Sequence, residues 1–225
     1  METADLIRSL ADNVTPVTRL RPPLLRAAIW LCVAVVLIVL LTAIHGLRPQ
    51  FAERMRDTVF VIGMLSSLIT GILAAIATFM VSLPDKSRLW LLLPVPALLL
   101  WMSNIGYQCF AGWVTLPPGA VTVEAASSCL LTLIVTSVPL SLLMLVMLRY
   151  VALLRPVSVA LVGSLAVSGI TSSALSMFHP LDATVMVLGW NLGTALLFVA
   201  AALIFGRTIS KRDHWARALR KRDLR

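Results

Sequence analysis

Charge is the first thing this chain lacks: only 13% of its 225 residues are Asp, Glu, Lys or Arg, about half the ~25% share of an ordinary soluble domain. Together with 59% hydrophobic residues and a mean hydropathy of +0.94, that shortage excludes a soluble globular domain and indicates an integral membrane protein. Catalytic signatures are missing as well. There is no glycine-rich phosphate loop, no HExxH and no nucleophile elbow, and the three histidines are scattered at 45, 179 and 214. No enzymatic activity is expected. No internal repeat or low-complexity segment interrupts the chain.

What is present is a series of apolar runs, at 27–47, 58–83, 89–110, 128–148, 157–178 and 183–206. Each is long enough to cross a hydrocarbon layer of about 30 Å at about 1.5 Å per residue. The runs are continuous and rich in Leu, Ala and Val, without the alternation of a lipid-facing strand, so they predict helices and not a barrel. The expected fold class is an all-α membrane protein, a bundle of six transmembrane helices. It divides into an N-terminal segment (1–26), the transmembrane domain (27–206) and a basic tail (207–225). The first run is longer than the roughly 7–15 residues of a secretory signal core, and no small-x-small cleavage site follows it. The polar stub before it is therefore expected to stay on the mature protein.

The spans hold no Asp, Glu, Lys or Arg in their interiors. Ion-coupled pumps and exchangers place such groups near the midplane, so their absence weighs against that class. A small-solute or metal transporter is the alternative reading, with only Asn104, Asn191 and hydroxyl side chains to line a path; a membrane scaffold subunit is another. Ser66, Ser67, Thr70, Asn104, Ser168, Thr171, Ser172 and Asn191 suit hydrogen bonds between helices. Pro94, Pro96 and Pro139 are expected to kink their spans.

Basic residues fix an orientation. Arg8, Arg19, Arg21, Arg26, Lys86, Arg88, Arg149, Arg155 and the eight basic residues beyond Gly206 fall on one side, against Arg48, Arg54 and Arg56 on the other. Both termini are then expected in the cytoplasm of a bacterial inner membrane. The net charge of +9 becomes an inner-leaflet feature that holds anionic membrane lipids, and direct nucleic-acid binding is not needed to explain it. Trp215 within the tail "SKRDHWARALRKRDLR" fits an interfacial helix.

The stub "DLIRSLADNVTPVTRLRPP" has its own pattern. Leu6, Ile7, Leu10 and Val14 fall on one face of a helix, with Asp5, Arg8, Ser9 and Asp12 elsewhere around it. Thr3 serves as N-cap, and Thr15-Pro16 ends the element because the residue before proline is driven out of the helical region. About three turns are marginal alone in water, so this amphipathic helix must order against something. A surface-seeking helix carries a basic polar face and bulky aromatics. This one has neither, which favours a protein partner gripped by helix-in-groove binding. Arg19 and Arg21 follow at headgroup level, and Pro22-Pro23 stiffens the approach to the bilayer.

On the opposite side, Cys109 ends the third run, Cys129 starts the fourth, and "FHPLDA" turns between the fifth and sixth. Cys109, Cys129, His179 and Asp182 thus share one membrane face. Thiolate, imidazole and carboxylate suit a soft or borderline metal ion such as zinc or cadmium; two cysteines in an oxidising compartment also suit a disulfide; and the same residues serve equally as packing groups and helix caps. Spacing alone does not choose among the three. Cys32, mid-helix, reads as a packing residue. The loop "AGWVTLPPGAVTVEAAS" is the longest on this face and reads either as a lid over the cysteines or as a plain connection.

The order of "DLIRSLA", "NVTPVTRLRPPLLR", "RLWLLLPVPALLLW", "SNIGYQC", "SSCL" and "FHPLDA" resembles the NrsF family, six-helix inner-membrane proteins that act as anti-sigma factors for extracytoplasmic-function sigma factors. The likeness runs from the stub to the sixth span, and the "RLRPP" approach, the proline-bearing third span and the "HPxD" turn are its most specific parts. It implies that the stub holds a sigma factor at the membrane until an envelope stress releases it. On that likeness Leu6, Ile7, Leu10 and Val14, with Arg19 and Arg21, form the partner-binding set. Cys109 and Cys129 match the family's outer cysteines, implicated in responding to metal or oxidative stress.

Overall fold

The computed structural model describes residues 21–112, 123–148, 156–178 and 193. Among them every regular element is helical, with five long helices: α1 (Pro23–His45), α3 (Thr58–Val81), α4 (Val95–Gly112), α5 (Val123–Leu148) and α6 (Pro156–Phe178). A single turn, α2 (Phe51–Arg54), and a 3-10 segment, Arg88–Leu92, complete the set. Five segments of the described chain are long and apolar enough to cross a membrane, one of them running from Arg88 to Tyr107. The all-helical class and five of the six expected spans are therefore present. The sixth run lies outside the described residues apart from Gly193, which is helical. The stub to residue 20 and the tail from 207 also lie outside.

Local chemistry sets the helix ends. Pro23 stands at the first position of α1, where a missing N–H costs nothing, and it holds Pro22 extended. At the other end Gly46 takes φ 77°, and its N–H reaches the Thr42 carbonyl at 2.9 Å; glycine enters that positive-φ region without steric cost, and the helix stops there. The Asp57 carboxylate caps α3 through the Val59 N–H at 2.9 Å. The third span departs from the expected kinked helix. Ser87 starts a 3-10 segment by accepting from the Leu89 N–H, a turn follows at Leu93-Pro94, and the α-helix begins only at Val95. Pro94 thus separates two elements, and Pro96 sits harmlessly in the first turn of α4. Pro139 is inside α5, as expected. That helix starts at Val123, five residues before the apolar run, because Glu124 and the small residues after it are compatible with a first turn.

Helix α3 lies against α6 along much of its length, and also contacts α1 and α4. Lipid removes the hydrophobic drive between spans, so contact rests on close approach of small residues and on hydrogen bonds. Both occur where Gly71 meets Gly169. A Cβ at Gly169 would stand 2.5 Å from the Ser67 carbonyl oxygen and 2.7 Å from the Gly71 amide nitrogen. One turn away, the Ser67 and Ser173 hydroxyls bond across the pair at 2.8 Å.

The other expected bridging groups divide. Asn104 of α4 donates its amide to the Val59 carbonyl of α3 at 3.0 Å. Ser66, Thr70 and Ser168 instead bond carbonyls of their own helices, at Gly63, Ser66 and Ser164; a hydroxyl on a helix reaches the carbonyl one turn back more easily than a neighbour. Thr171 Oγ1 and Ser172 Oγ are buried without a partner. Asn191 lies outside the described residues.

Helix α1 turns Ala27, Trp30, Ala34 and Leu41 inward, where Trp30 joins Phe79, Leu140, Met144, Val159 and Ile170 in the main core. Val35, Val36, Val39 and Ile44 face outward, between 58% and 68% exposed, the belt a lipid-facing helix requires. Cys32 belongs to this outward side and is not a packing residue, because the inward stripe passes through positions 30 and 34.

Candidate functional site

The polypeptide reaches the bundle through Arg21 and Pro22. Arg21 is exposed, and it alone of the expected partner-binding set falls among the described residues; Leu6, Ile7, Leu10, Val14 and Arg19 lie outside them. One turn into α1, Arg26 is only 5% exposed. Its Nη2 donates to the Met147 carbonyl of α5, its guanidinium stands 5.1 Å from the centre of the Phe79 ring of α3, and Nη1 is buried with no acceptor. A cation beside the C-terminal part of a helix is favoured by the helix dipole, and one over a ring face by the ring quadrupole. The unsatisfied N–H opposes them, at a cost of about 1–3 kcal/mol. A second donor follows at Trp30, fully buried, whose Nε1–H meets the Leu140 carbonyl of α5 at 3.1 Å.

These contacts show which helix ends lie together. The start of α1 meets the ends of α3 and α5 through Phe79 and Met147. The far end of α1 meets the end of α6, where the Arg48 N–H bonds the Met177 carbonyl at 3.1 Å. The later part of α4 meets the start of α3 through Asn104 and Val59. Successive spans therefore run in opposite directions. At the Arg26 end the charged residues among those described are Arg21, Arg26, Lys86 and Arg88 with Asp85, whose carboxylate lies 3.5 Å from Lys86. At the opposite end Arg48, Arg54 and Arg56 are matched by Glu53, Asp57 and Glu124. The Arg26 end is thus the more basic one.

Cys109 belongs to the last turn of α4 and Cys129 to the second turn of α5, at the end away from Arg26; their side chains lie outside the description. His179 and Asp182 also lie outside the described residues. Among the residues described, no cluster of three or more His, Cys, Asp or Glu side chains forms.

Sequence reasoning passed over Arg26 and Trp30, treating the first only as a basic residue at the span's edge. The available signal was a cation between Leu24-Leu25 and the apolar run that starts at Ala27, with an indole four residues later on the same helix face. Ser173, Gly71 and Gly169 were also passed over; the four-residue spacings Ser67 to Gly71 and Gly169 to Ser173 carried that signal.

Fold and sequence together define a polytopic all-helical protein with membrane-type spans. A family model described as NrsF, negative regulator of sigma F, matches residues 10–211, and the chain belongs to that family. It is accordingly a negative regulator of a sigma factor. The match takes in Leu10, Val14, Arg19, Arg21 and the four residues of the cysteine face, and begins after Leu6 and Ile7. Comparison with curated proteins and with solved structures finds no match.

Proposed function

We propose that this protein is a membrane anti-sigma factor of the bacterial inner membrane. Through its N-terminal segment it sequesters an extracytoplasmic-function sigma factor, and it releases that factor when the envelope meets metal or oxidative stress. The observation that carries the reading is the family match over residues 10–211, joined to the apolar stripe Leu6, Ile7, Leu10 and Val14 in front of the first span. The surplus of basic residues at the Arg26 end favours a cytoplasmic setting for that end, and with it for the stub. A sigma factor held there is kept from RNA polymerase by position alone.

Release requires that the outer face bias the stub. A thiophilic metal ion held by the thiolates of Cys109 and Cys129, with His179 and Asp182 as further donors, would draw α4 and α5 together. A disulfide would do the same: an envelope oxidant takes two electrons from the two thiols, two protons leave, and one S–S bond forms. Reversing a bound population from 99:1 to 1:99 takes about 5.5 kcal/mol of differential binding, within the ~10–16 kcal/mol available to a structural zinc site.

Deleting residues 1–20 is expected to raise transcription from the sigma-dependent promoter to the level of a strain lacking the protein; unaltered repression would remove the stub from the mechanism. Replacing both Cys109 and Cys129 by Ser is expected to preserve repression and abolish induction by cadmium, zinc or peroxide. Full induction in that variant would discard the sensing half of the proposal while leaving sequestration intact.

A further inference from the structure

The proposed function leaves a gap between the outer ends of α4 and α5 and a stub at the far end of α1. We propose that Arg26 and Trp30 clasp α1 to the backbone of α5 and are positioning residues that pass a change in α5 to the N-terminal segment. The inference rests on that segment being the partner-binding element.

Both acceptors, the carbonyls of Met147 and Leu140, belong to the α5 backbone. The clasp therefore follows the path of the helix and is insensitive to side-chain rotamers on it. Donors and acceptors match an antiparallel pair. The Cα atoms of Arg26 and Trp30 are one turn apart, about 6 Å along the axis, while the two carbonyls are two turns apart, about 10.5 Å. A helical side chain leans toward the N-terminus of its own helix, and in α1 that is the direction of Met147. The long arginine covers the difference.

Two further features make the clasp responsive. Pro139 immediately precedes Leu140; it has no N–H for the Val135 carbonyl, so α5 lacks a ladder bond at this point and can bend there. Cys129 is on one side of that joint and both acceptors are on the other, with the Trp30 acceptor adjoining it. A bend at Pro139 thus turns the Leu140 peptide directly. Arg26, for its part, has a second N–H in Nη1, buried and unsatisfied, available to a different acceptor when α5 shifts. Four residues before Arg26 the chain leaves α1 through Pro22 and Pro23, whose fixed φ angles carry the direction of the first turn into the stub. Neither proline can absorb a tilt of that turn by changing φ.

The test uses the full chain in nanodiscs of phosphatidylethanolamine and phosphatidylglycerol, with the three native cysteines replaced by Ser and spin labels on Thr18→Cys and Leu145→Cys. Leu145 is an outward residue of α5, 51% exposed. Pulsed electron–electron resonance should give one narrow distance distribution for the parent. Trp30→Phe, which keeps the ring and removes the donor, combined with Arg26→Gln, should broaden and displace it, whereas Arg26→Lys, which keeps a cationic donor, should stay near the parent. Should the double variant not insert, Trp30→Phe alone serves the same reading. In cells carrying the native cysteines, the double variant should raise basal sigma-dependent transcription about tenfold at equal membrane abundance, as expected for losing two intramembrane hydrogen bonds. An unchanged distance distribution in a folded Trp30→Phe, Arg26→Gln protein would overturn the clasp. Leu10→Asp separates the two claims: it leaves the clasp and the distances intact, so failure of the partner reading appears as unchanged transcription in that variant.

Discussion

Gly169→Ala is expected to cost the protein most of its folded population. The added methyl would lie 2.5 Å from the Ser67 carbonyl oxygen, 2.7 Å from the Gly71 nitrogen and 2.8 Å from the Gly71 Cα. All three atoms are backbone, so no rotamer change makes room, and α3 and α6 must move apart. Separation also breaks the Ser67–Ser173 bond of 2.8 Å and loosens Ile170, Ala74 and Ala75, which share the same core. Overpacking alone costs about 1–3 kcal/mol, and a bond between membrane helices adds about 0.6–2 kcal/mol. A loss of about 3 kcal/mol is a large part of a typical ~5–15 kcal/mol stability. Gly163→Ala is the control, since its methyl would meet only side-chain atoms at ordinary contact distance, Thr78 Cγ2 at 3.5 Å and Met144 Cγ and Thr78 Oγ1 at 3.9 Å, and alanine favours helix. Detergent titration of the purified proteins should show a sharply lowered midpoint for Gly169→Ala and an unaltered or slightly raised one for Gly163→Ala. Equal midpoints would mean that α3 and α6 do not cross at these glycines.

Leu10→Asp is expected to have the largest effect on regulation. Leu10 stands at the middle of the stripe formed by Leu6, Ile7 and Val14, and central anchors of an amphipathic helix in a groove dominate its binding energy. Losing such an anchor costs about 2–4 kcal/mol, and a buried carboxylate adds its desolvation to that. Sigma-dependent transcription should then rise close to the level seen without the protein, at unaltered membrane abundance. Ser9→Ala, off the apolar stripe, should leave repression as it is. Complete repression by Leu10→Asp would show that the stripe does not hold the partner.

Hydropathy located five described spans because length and apolar content are sufficient for that decision; their ends, set by Pro23, Gly46 and Asp57, follow from local chemistry. How the helices meet was much less legible. A run of Leu, Ala and Val is compatible with many neighbours, and only distances such as those between Gly71 and Gly169 identify one. Serine and threonine misled for a definite reason: the hydroxyls of Ser66, Thr70 and Ser168 are satisfied inside their own helices, whereas Ser173, marked only by its spacing from Gly169, bridges two. Arg26 was counted as a charge at a membrane edge because position alone does not show that a guanidinium seats on a carbonyl of α5, three spans further along the chain. The partner-binding stripe and the cysteine face rest on residue pattern and family membership, which supply a mechanism to test.

The decisive measurement is affinity capture from native cells with the tagged full-length protein and with the same protein lacking residues 1–20, each solubilised in mild detergent and compared at equal recovery. The account predicts that one extracytoplasmic-function sigma factor co-purifies with the intact chain and is lost on deletion. A sigma factor that stays bound after the deletion, or none captured by the intact chain, would contradict it.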